Sequence, residues 1–367
     1  MDLVSLVETD LRVQVMFTVP QTTDRWQGVS EFVRGLGGLV LPWSQAVAHR
    51  FDLILAASHR HLNQLHGPIL LIGHGAGEVR PRRHSRKAGG ATQPTTGLDR
   101  ELLTFRGRVL PALLGLGTDD ELELLRDRCP EALPRAVVAG DICLDRMRAS
   151  YHLRERYRTA LGVQSARKLV VISTTWFTDS AFGQLPHLGR AVVDSLPAKR
   201  FAVAAVLHPN VWAVHGRRQV SAWLADAMEA GLMVVPPEAG WQATMIAADW
   251  VIGDHGSTTG YAAAIGTPVT VASAPEGSPQ KGSVADVVRT LAPTLRWDRS
   301  LSNQATEARG GAQRLSGTVT EAISSRVDRA AGILRAELYR LLELSEPQSP
   351  ARLPLLPLPD PIAGWAA

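Results

Sequence analysis

From Val251 to Val269 the chain reads Val-Ile-Gly-Asp-His-Gly-Ser-Thr-Thr-Gly-Tyr-Ala-Ala-Ala-Ile-Gly-Thr-Pro-Val. No other stretch restricts the possible folds as much. An apolar run, Ala247 to Ile252 with Asp249 inside it, ends in a turn of Gly, Ser and Thr. An Ala-rich segment follows, and Gly266 and Pro268 stop it. This is the pattern of strand, tight turn, short helix and next strand. The turn places backbone N–H groups and the hydroxyls of Ser257, Thr258 and Thr259 at a helix start, where amides lack internal partners and the dipole favours anions. The stretch therefore reads as a cradle for the diphosphate of a nucleotide-activated donor. Taken alone, the same pattern also serves as an ordinary N-cap.

The chain around it has 367 residues, more than one ordinary core, and two domains are expected. Strand-like segments alternate with helix-like ones, which implies βαβ units and doubly wound sheets. In the first half the expected strands are Arg12 to Val19, Asp52 to Ala57, Pro68 to Ile72 and Ala136 to Ala139. Trp26 to Leu36, Arg108 to Leu114 and Asp120 to Asp127 have helical character. Asp145 to Leu161 reads as one exposed, charged helix leading out of a first domain that spans 1–164. The second domain, 165–317, restarts with a central strand at Lys168 to Ile172. Phe201 to Leu207, Met233 to Val235, Trp250 to Gly253 and Thr267 to Ala272 are its further strands. Thr318 to Leu344 reads as one long amphipathic helix, with Thr318 and Glu321 at capping-box spacing. That helix, over 318–345, could cross back to the first domain. The proline-rich end, 346–367, reads as a loosely held tail in which Trp365 could dock.

In such sheets ligands sit beyond the carboxyl ends of the strands. His74 follows the Pro68 to Ile72 strand inside Gly73-His74-Gly75, and His208 follows Phe201 to Leu207. Pro209 holds His208 at a sharp turn. Each histidine is either a locally bonded turn residue or part of a site. Thr174 and Thr175, after the central strand, and Glu238, after Pro236-Pro237, stand at further strand ends.

Composition narrows the partners. Net charge is +4 and the isoelectric point about 9.4. The excess suits anionic substrates or an anionic membrane face and does not require nucleic acid. Arg80 to Lys87 is a basic run, either a solvated loop or a patch for a phosphate-rich polymer or anionic lipid. Cys129 and Cys143 are the only cysteines, which points to a reduced, cytoplasmic protein. The first ten residues carry Asp2, Glu8 and Asp10 and no basic residue, so no signal peptide is expected. No apolar run approaches the roughly 20 residues that span a bilayer. Any membrane contact would be peripheral.

Several stretches together resemble the CDP-glycerol glycerophosphotransferases. These are Gly73-His74-Gly75, Ala139-Gly140-Asp141, Thr174-Thr175-Trp176, Leu207-His208-Pro209, and Asp254-His255-Gly256-Ser257 with Gly266-Thr267-Pro268. The last segment is also similar to a turn of the UDP-N-acetylglucosamine 2-epimerases. The resemblance runs from Phe51 to Ala272 with gaps. It implies a GT-B-like architecture: two Rossmann-like, doubly wound α/β domains facing a central cleft.

The resemblance also implies roles. His74 would be the general base on the acceptor hydroxyl, and His208 would face the donor diphosphate. Asp254, His255, Gly256, Ser257, Thr258 and Thr259 would form the diphosphate site, with Thr174, Thr175, Tyr261 and Glu238 as further donor-site candidates. No metal and no cofactor are expected; the nucleotide-diphosphate donor is itself a substrate. The families place an acid early in the helix after the turn, where this chain has Gly260 and Tyr261. The Tyr261 ring could stack on a base or sugar instead. Three functions fit: a transferase from a nucleotide-diphosphate donor to a hydroxyl, a UDP-sugar epimerase, and a non-catalytic nucleotide-binding protein.

Overall fold

A computed structural model of the protein describes residues 2–20, 29–35, 37–76, 80–81, 94–95, 97–176, 178–238, 240–273 and 279–362. The chain packs as two units. Unit 1 comprises Met1–Arg146 and Glu321–Pro354, and unit 2 comprises Met147–Thr320 and Leu355–Ala367.

Unit 1 contains β1 (Met16–Thr18) and β2 (Leu39–Leu41), a parallel pair, with α1 (Val29–Gly35) between them. A second sheet holds β3 (Ile54–Ala56), β4 (Ile69–Ile72), β5 (Leu113–Leu116) and β6 (Ala136–Val138), parallel and in sequence order. Successive side chains on a strand point to opposite faces, and here both faces are covered. Leu70 and Leu113 pack with Leu334 and Leu338, whereas Leu71 and Leu114 pack with Leu103 and Leu125. The helix α2 (Asp119–Arg128) lies on the second of these sides.

Unit 2 begins with α3 (Ile142–Ser150), which straddles the division, and α4 (Arg154–Ala160). Its strands are β7 (Lys168–Thr174), β8 (Phe201–Leu207), β9 (Leu232–Val235), β10 (Trp250–Gly253) and β11 (Val269–Val271). They form one parallel sheet in the order β9-β8-β7-β10-β11. The helices between them are α5 (Leu188–Ser195), α6 (Pro209–His215), α7 (Arg217–Glu229), α8 (Trp241–Ala247) and α9 (Ser257–Ala264). After β11 come α10 (Val284–Leu291), α11 (Leu301–Ile323) and α12 (Ala330–Leu341). Strand β7 is central, and every residue of β8 is buried. The order reverses between β7 and β10. A Rossmann-like sheet keeps its ligand crevice at such a point.

The structure departs from the sequence reading in five places. Arg108 to Leu114 is not helical: Arg108–Val109 is a short strand and Leu113 starts β5. A continuous apolar run looks alike in a buried strand and a buried helix. Asp145 to Leu161 is two helices, α3 and α4, joined by a tight turn at Tyr151–Leu153. It is not exposed, because Met147 and Tyr157 are fully buried and Asp145 and Arg158 nearly so.

The division between units falls at Arg146, not near Gln164. The reason is charge: Asp249 accepts from Arg154 at 2.9 Å and Arg158 at 2.8 Å, fastening α4 to unit 2. Thr318 to Leu344 is likewise not one helix. Thr318 lies inside α11 and its hydroxyl bonds back to the Arg314 carbonyl, while residues 324–329 separate α11 from α12. Finally, the tail is fastened up to Ile362. The Tyr157 hydroxyl donates to the Leu356 carbonyl, Leu356 N–H donates to Ser150 Oγ, and Ile362 N–H donates to the Val234 carbonyl. Trp365 lies outside the described residues.

Candidate functional site

The carboxyl ends of β7, β8 and β10 converge in unit 2. Asp254, the first residue after β10, is fully buried. Its Oδ2 accepts from the amides of Thr175 at 2.7 Å and Ala181 at 3.0 Å. Its Oδ1 accepts from Gly256 N–H at 3.0 Å. A buried carboxylate needs such donors, and three amides answer this one. The result is a fixed frame joining the loop after β7 to the turn before α9.

Two glycines let that frame close. A side chain at Gly253 would meet Thr259 Oγ1 at 2.3 Å, and one at Gly256 would meet Thr175 Cγ2 at 2.5 Å. Glycine at 253 brings α9 down onto β10, and glycine at 256 brings the turn against the β7 loop.

Helix α9 begins beyond the frame. The Thr259 amide accepts no ligand role, since it bonds the Gly256 carbonyl. Among the described residues the amides of Ser257 and Thr258 have no acceptor. Ser257 is exposed and Thr258 half-buried. Thr175 Oγ1 is buried nearby without a hydrogen-bond partner among the described residues. Such groups together suit an anionic oxygen.

His208 caps α6: its Nδ1 accepts from Asn210 N–H at 3.1 Å. That bond assigns the proton of the neutral ring to Nε2. Its own amide bonds the Thr174 carbonyl at 3.0 Å, which ties the end of β8 to the end of β7. The Trp176 ring stacks near it, with centroids 6.2 Å apart and planes 27° apart. Thr174 is the last residue of β7 and its side chain braces the following loop: its Oγ1 accepts from Phe182 N–H and donates to the Thr175 carbonyl. His255 turns toward Asp179, with Nε2 3.9 Å from Oδ2.

The structure thus gathers Thr175, His208, Asp254, Gly256, Ser257 and Thr258. Other expected residues have different surroundings. The Thr259 side chain is fully buried against Gly253. Tyr261 is 2% exposed, its ring 5.9 Å from that of Trp241. Stacking of Tyr261 on a donor base is therefore corrected: the ring is part of the core. Glu238 is exposed and paired with Arg217. His74 stands at the end of β4 in unit 1, exposed, before Gly75 with φ +76. Gly140 and Asp141 are structural: Asp141 Oδ1 accepts from Leu144 N–H, and Gly140 (φ +86) lies against the Ser324 hydroxyl and the Arg326 carbonyl. Of the basic run, Arg80–Pro81 pairs with Pro94–Thr95, and the rest lies outside the described residues. Sequence reasoning missed Asp179 and the Ala181 amide, and it named Trp176 only as part of the Thr174-Thr175-Trp176 stretch. Ser180, which caps the short helix Ala181–Gln184, was the available signal.

Among the described residues no three His, Cys, Asp or Glu side chains cluster as metal ligands. No helix among them is long and apolar enough to cross a membrane.

No protein-family model matches the sequence, and neither does any curated protein. Solved structures do match in shape. A variant of the wall teichoic acid polymerase TagF soaked with CDPG superposes with a TM-score of 0.55 at 11% identity, covering 93% of this chain and 92% of that one. The UDP-GlcNAc 2-epimerase from Neisseria meningitidis bound to UDP-GlcNAc gives 0.50 at 12%, covering 93% and 88%. The S. aureus MnaA–UDP structure gives 0.51 at 14%, covering 94% of each chain. The fold is GT-B-like. At these identities the likeness concerns the fold alone.

Proposed function

We propose that unit 2 binds the diphosphate of a nucleotide-activated donor at the reversal of its sheet, and that the protein moves the activated group to an acceptor hydroxyl. The observation that carries this reading is the Asp254 frame. It leaves the Ser257 and Thr258 amides, with their hydroxyls, at the carboxyl end of the strands. Proteins of the same fold were solved with CDPG, UDP-GlcNAc and UDP, which supports a nucleotide diphosphate over other anions.

In a glycosyl transfer the acceptor oxygen bonds the anomeric carbon as the bond from that carbon to the diphosphate oxygen breaks. In a glycerophosphoryl transfer it bonds the distal phosphorus as the phosphoanhydride breaks. Either way the leaving phosphate keeps the electron pair. His208 Nε2–H and the α9 amides stabilise that charge, and a general base takes the acceptor proton; His74 is the candidate that the resemblance implies. Positioning and charge stabilisation supply most of the rate on this reading.

The test has two stages. First, the melting temperature is measured with CDP, UDP and their activated glycerol and sugar derivatives, for the wild type and for His208→Ala. A bound nucleotide raises it, since only the native state binds. Second, donor turnover with an acceptor is compared among wild type, His74→Ala and His208→Ala. A protein that responds to no nucleotide, or wild-type turnover in both variants, removes the proposal. Interconversion of a UDP-sugar without any acceptor would favour the epimerase instead.

A further inference from the structure

At the opposite end of the unit 2 sheet, the amino ends of β7, β8 and β10 and one face of α11 enclose a pocket of about 60 Å³. A single water needs only about 10–15 Å³ by a comparable measure. Strand β7 is seven residues long, so this pocket lies roughly 20 Å from the loops that carry Thr175 and Ser257. It therefore does not belong to the donor site.

The lining is cationic. Lys168, Arg200 and Arg309 border the pocket, each from a different element or its edge, and all three are exposed. Among the described residues none of them forms an ion pair with a carboxylate. Arg200 rests only over the face of Phe201, 5.7 Å from the ring centroid. The sole carboxylate on the wall, Asp249, is already committed to Arg154, Arg158 and the Leu169 amide. Asp249 is thus neutralised from behind and leaves the three cations uncompensated. From α11, Ser302 adds a hydroxyl with no partner among the described residues, beside Thr306.

Three cations and a hydroxyl bordering a pocket of this size match the charge and multiple acceptors of a phosphate group. We infer that this pocket is a second site, one that binds a phosphate dianion or phosphate monoester apart from the donor loops. Its cations are solvated, so binding is weak and falls with ionic strength. Occupation would tie α11 to the amino end of the sheet, because Arg309 lies on the helix, Lys168 opens β7 and Arg200 immediately precedes β8.

The test uses the full chain, with inorganic phosphate and glycerol 3-phosphate as probes against chloride at equal ionic strength. Wild-type protein should show a saturable rise in melting temperature. In Arg309→Ala and Lys168→Ala the midpoint should weaken about tenfold, the loss of one charge-assisted contact. Circular dichroism shows whether each variant is folded, and Arg200→Ala provides a third, exposed substitution. The nucleotide response should be unchanged in all three. A tighter midpoint for glycerol 3-phosphate identifies an ester as the ligand, and a tighter one for phosphate identifies the free ion. No difference from chloride overturns the inference. So does a shift that persists in the variants, as it would if phosphate entered the donor loops.

Discussion

The carboxylate of Asp254 lies 2.7 Å from the backbone amide of Thr175, joining the ends of two neighbouring strands at the point where the sheet changes direction. The side chain is fully buried and bonds two further amides. Asp254→Ala should therefore leave buried donors unpaired and destabilise unit 2 by about 3 kcal/mol, read from urea unfolding. It should also abolish any nucleotide-induced stabilisation, because the α9 turn loses its anchor. A variant as stable as wild type would show that water replaces the carboxylate.

The turn is equally dependent on the space at Gly256. A methyl group there would sit 2.5 Å from Thr175 Cγ2. Gly256→Ala should cost about 1–3 kcal/mol by overpacking. Thr175→Ser removes that methyl group, so the double variant should recover most of the loss. A double-mutant cycle measures the coupling; additive effects would mean the clash is relieved elsewhere.

In unit 1 the start of α12 depends on a residue far away in sequence. Asp145 accepts from the amides of Asp328 at 2.7 Å and Ala330 at 2.8 Å. Asp145→Ala should cost about 2 kcal/mol, the upper range for a lost helix cap. Thr318→Ala should cost little, since its hydroxyl only bonds back to Arg314. Thermal unfolding of the two variants should rank them in that order.

Asp10 gives unit 1 an acid-sensitive contact. The Arg12 side chain and amide, with the Tyr339 hydroxyl, hold the Asp10 carboxyl well below the usual carboxylate range. A depressed folded value means the stabilisation is complete above the unfolded value of about 3.9 and disappears as pH falls through the folded value. The melting temperature of Asp10→Asn should lie below wild type by a constant amount above about pH 5. The gap should narrow below about pH 4. A gap independent of pH would mean that the contact is not ionic.

Much of unit 2 was legible in the sequence because its signals are local. Phe201 to Leu207 and Trp250 to Gly253 are apolar runs bounded by turn residues, and both are strands with those limits. Two Thr-x-x-Glu segments show where local reading stops. Thr118 and Glu121 form a reciprocal cap, with Glu121 N–H bonded to Thr118 Oγ1 and Gly117 N–H to Glu121 Oε2. Thr318 and Glu321 have the same spacing and lie within α11. Spacing alone does not distinguish them, because a cap needs the preceding chain to leave the helix, and packing decides that.

By itself, then, the sequence determined the alternation of buried strands and helices and the small, hydroxyl-rich turn after β10, since burial pattern and glycine placement act over a few residues. Only the tertiary structure decided that Asp254 faces inward to three amides, that Tyr261 belongs to the core, and that Lys168, Arg200 and Arg309 share one pocket. Those relations join residues distant along the chain. Their energies depend on which groups are desolvated together, and that is settled only when the sheet has closed.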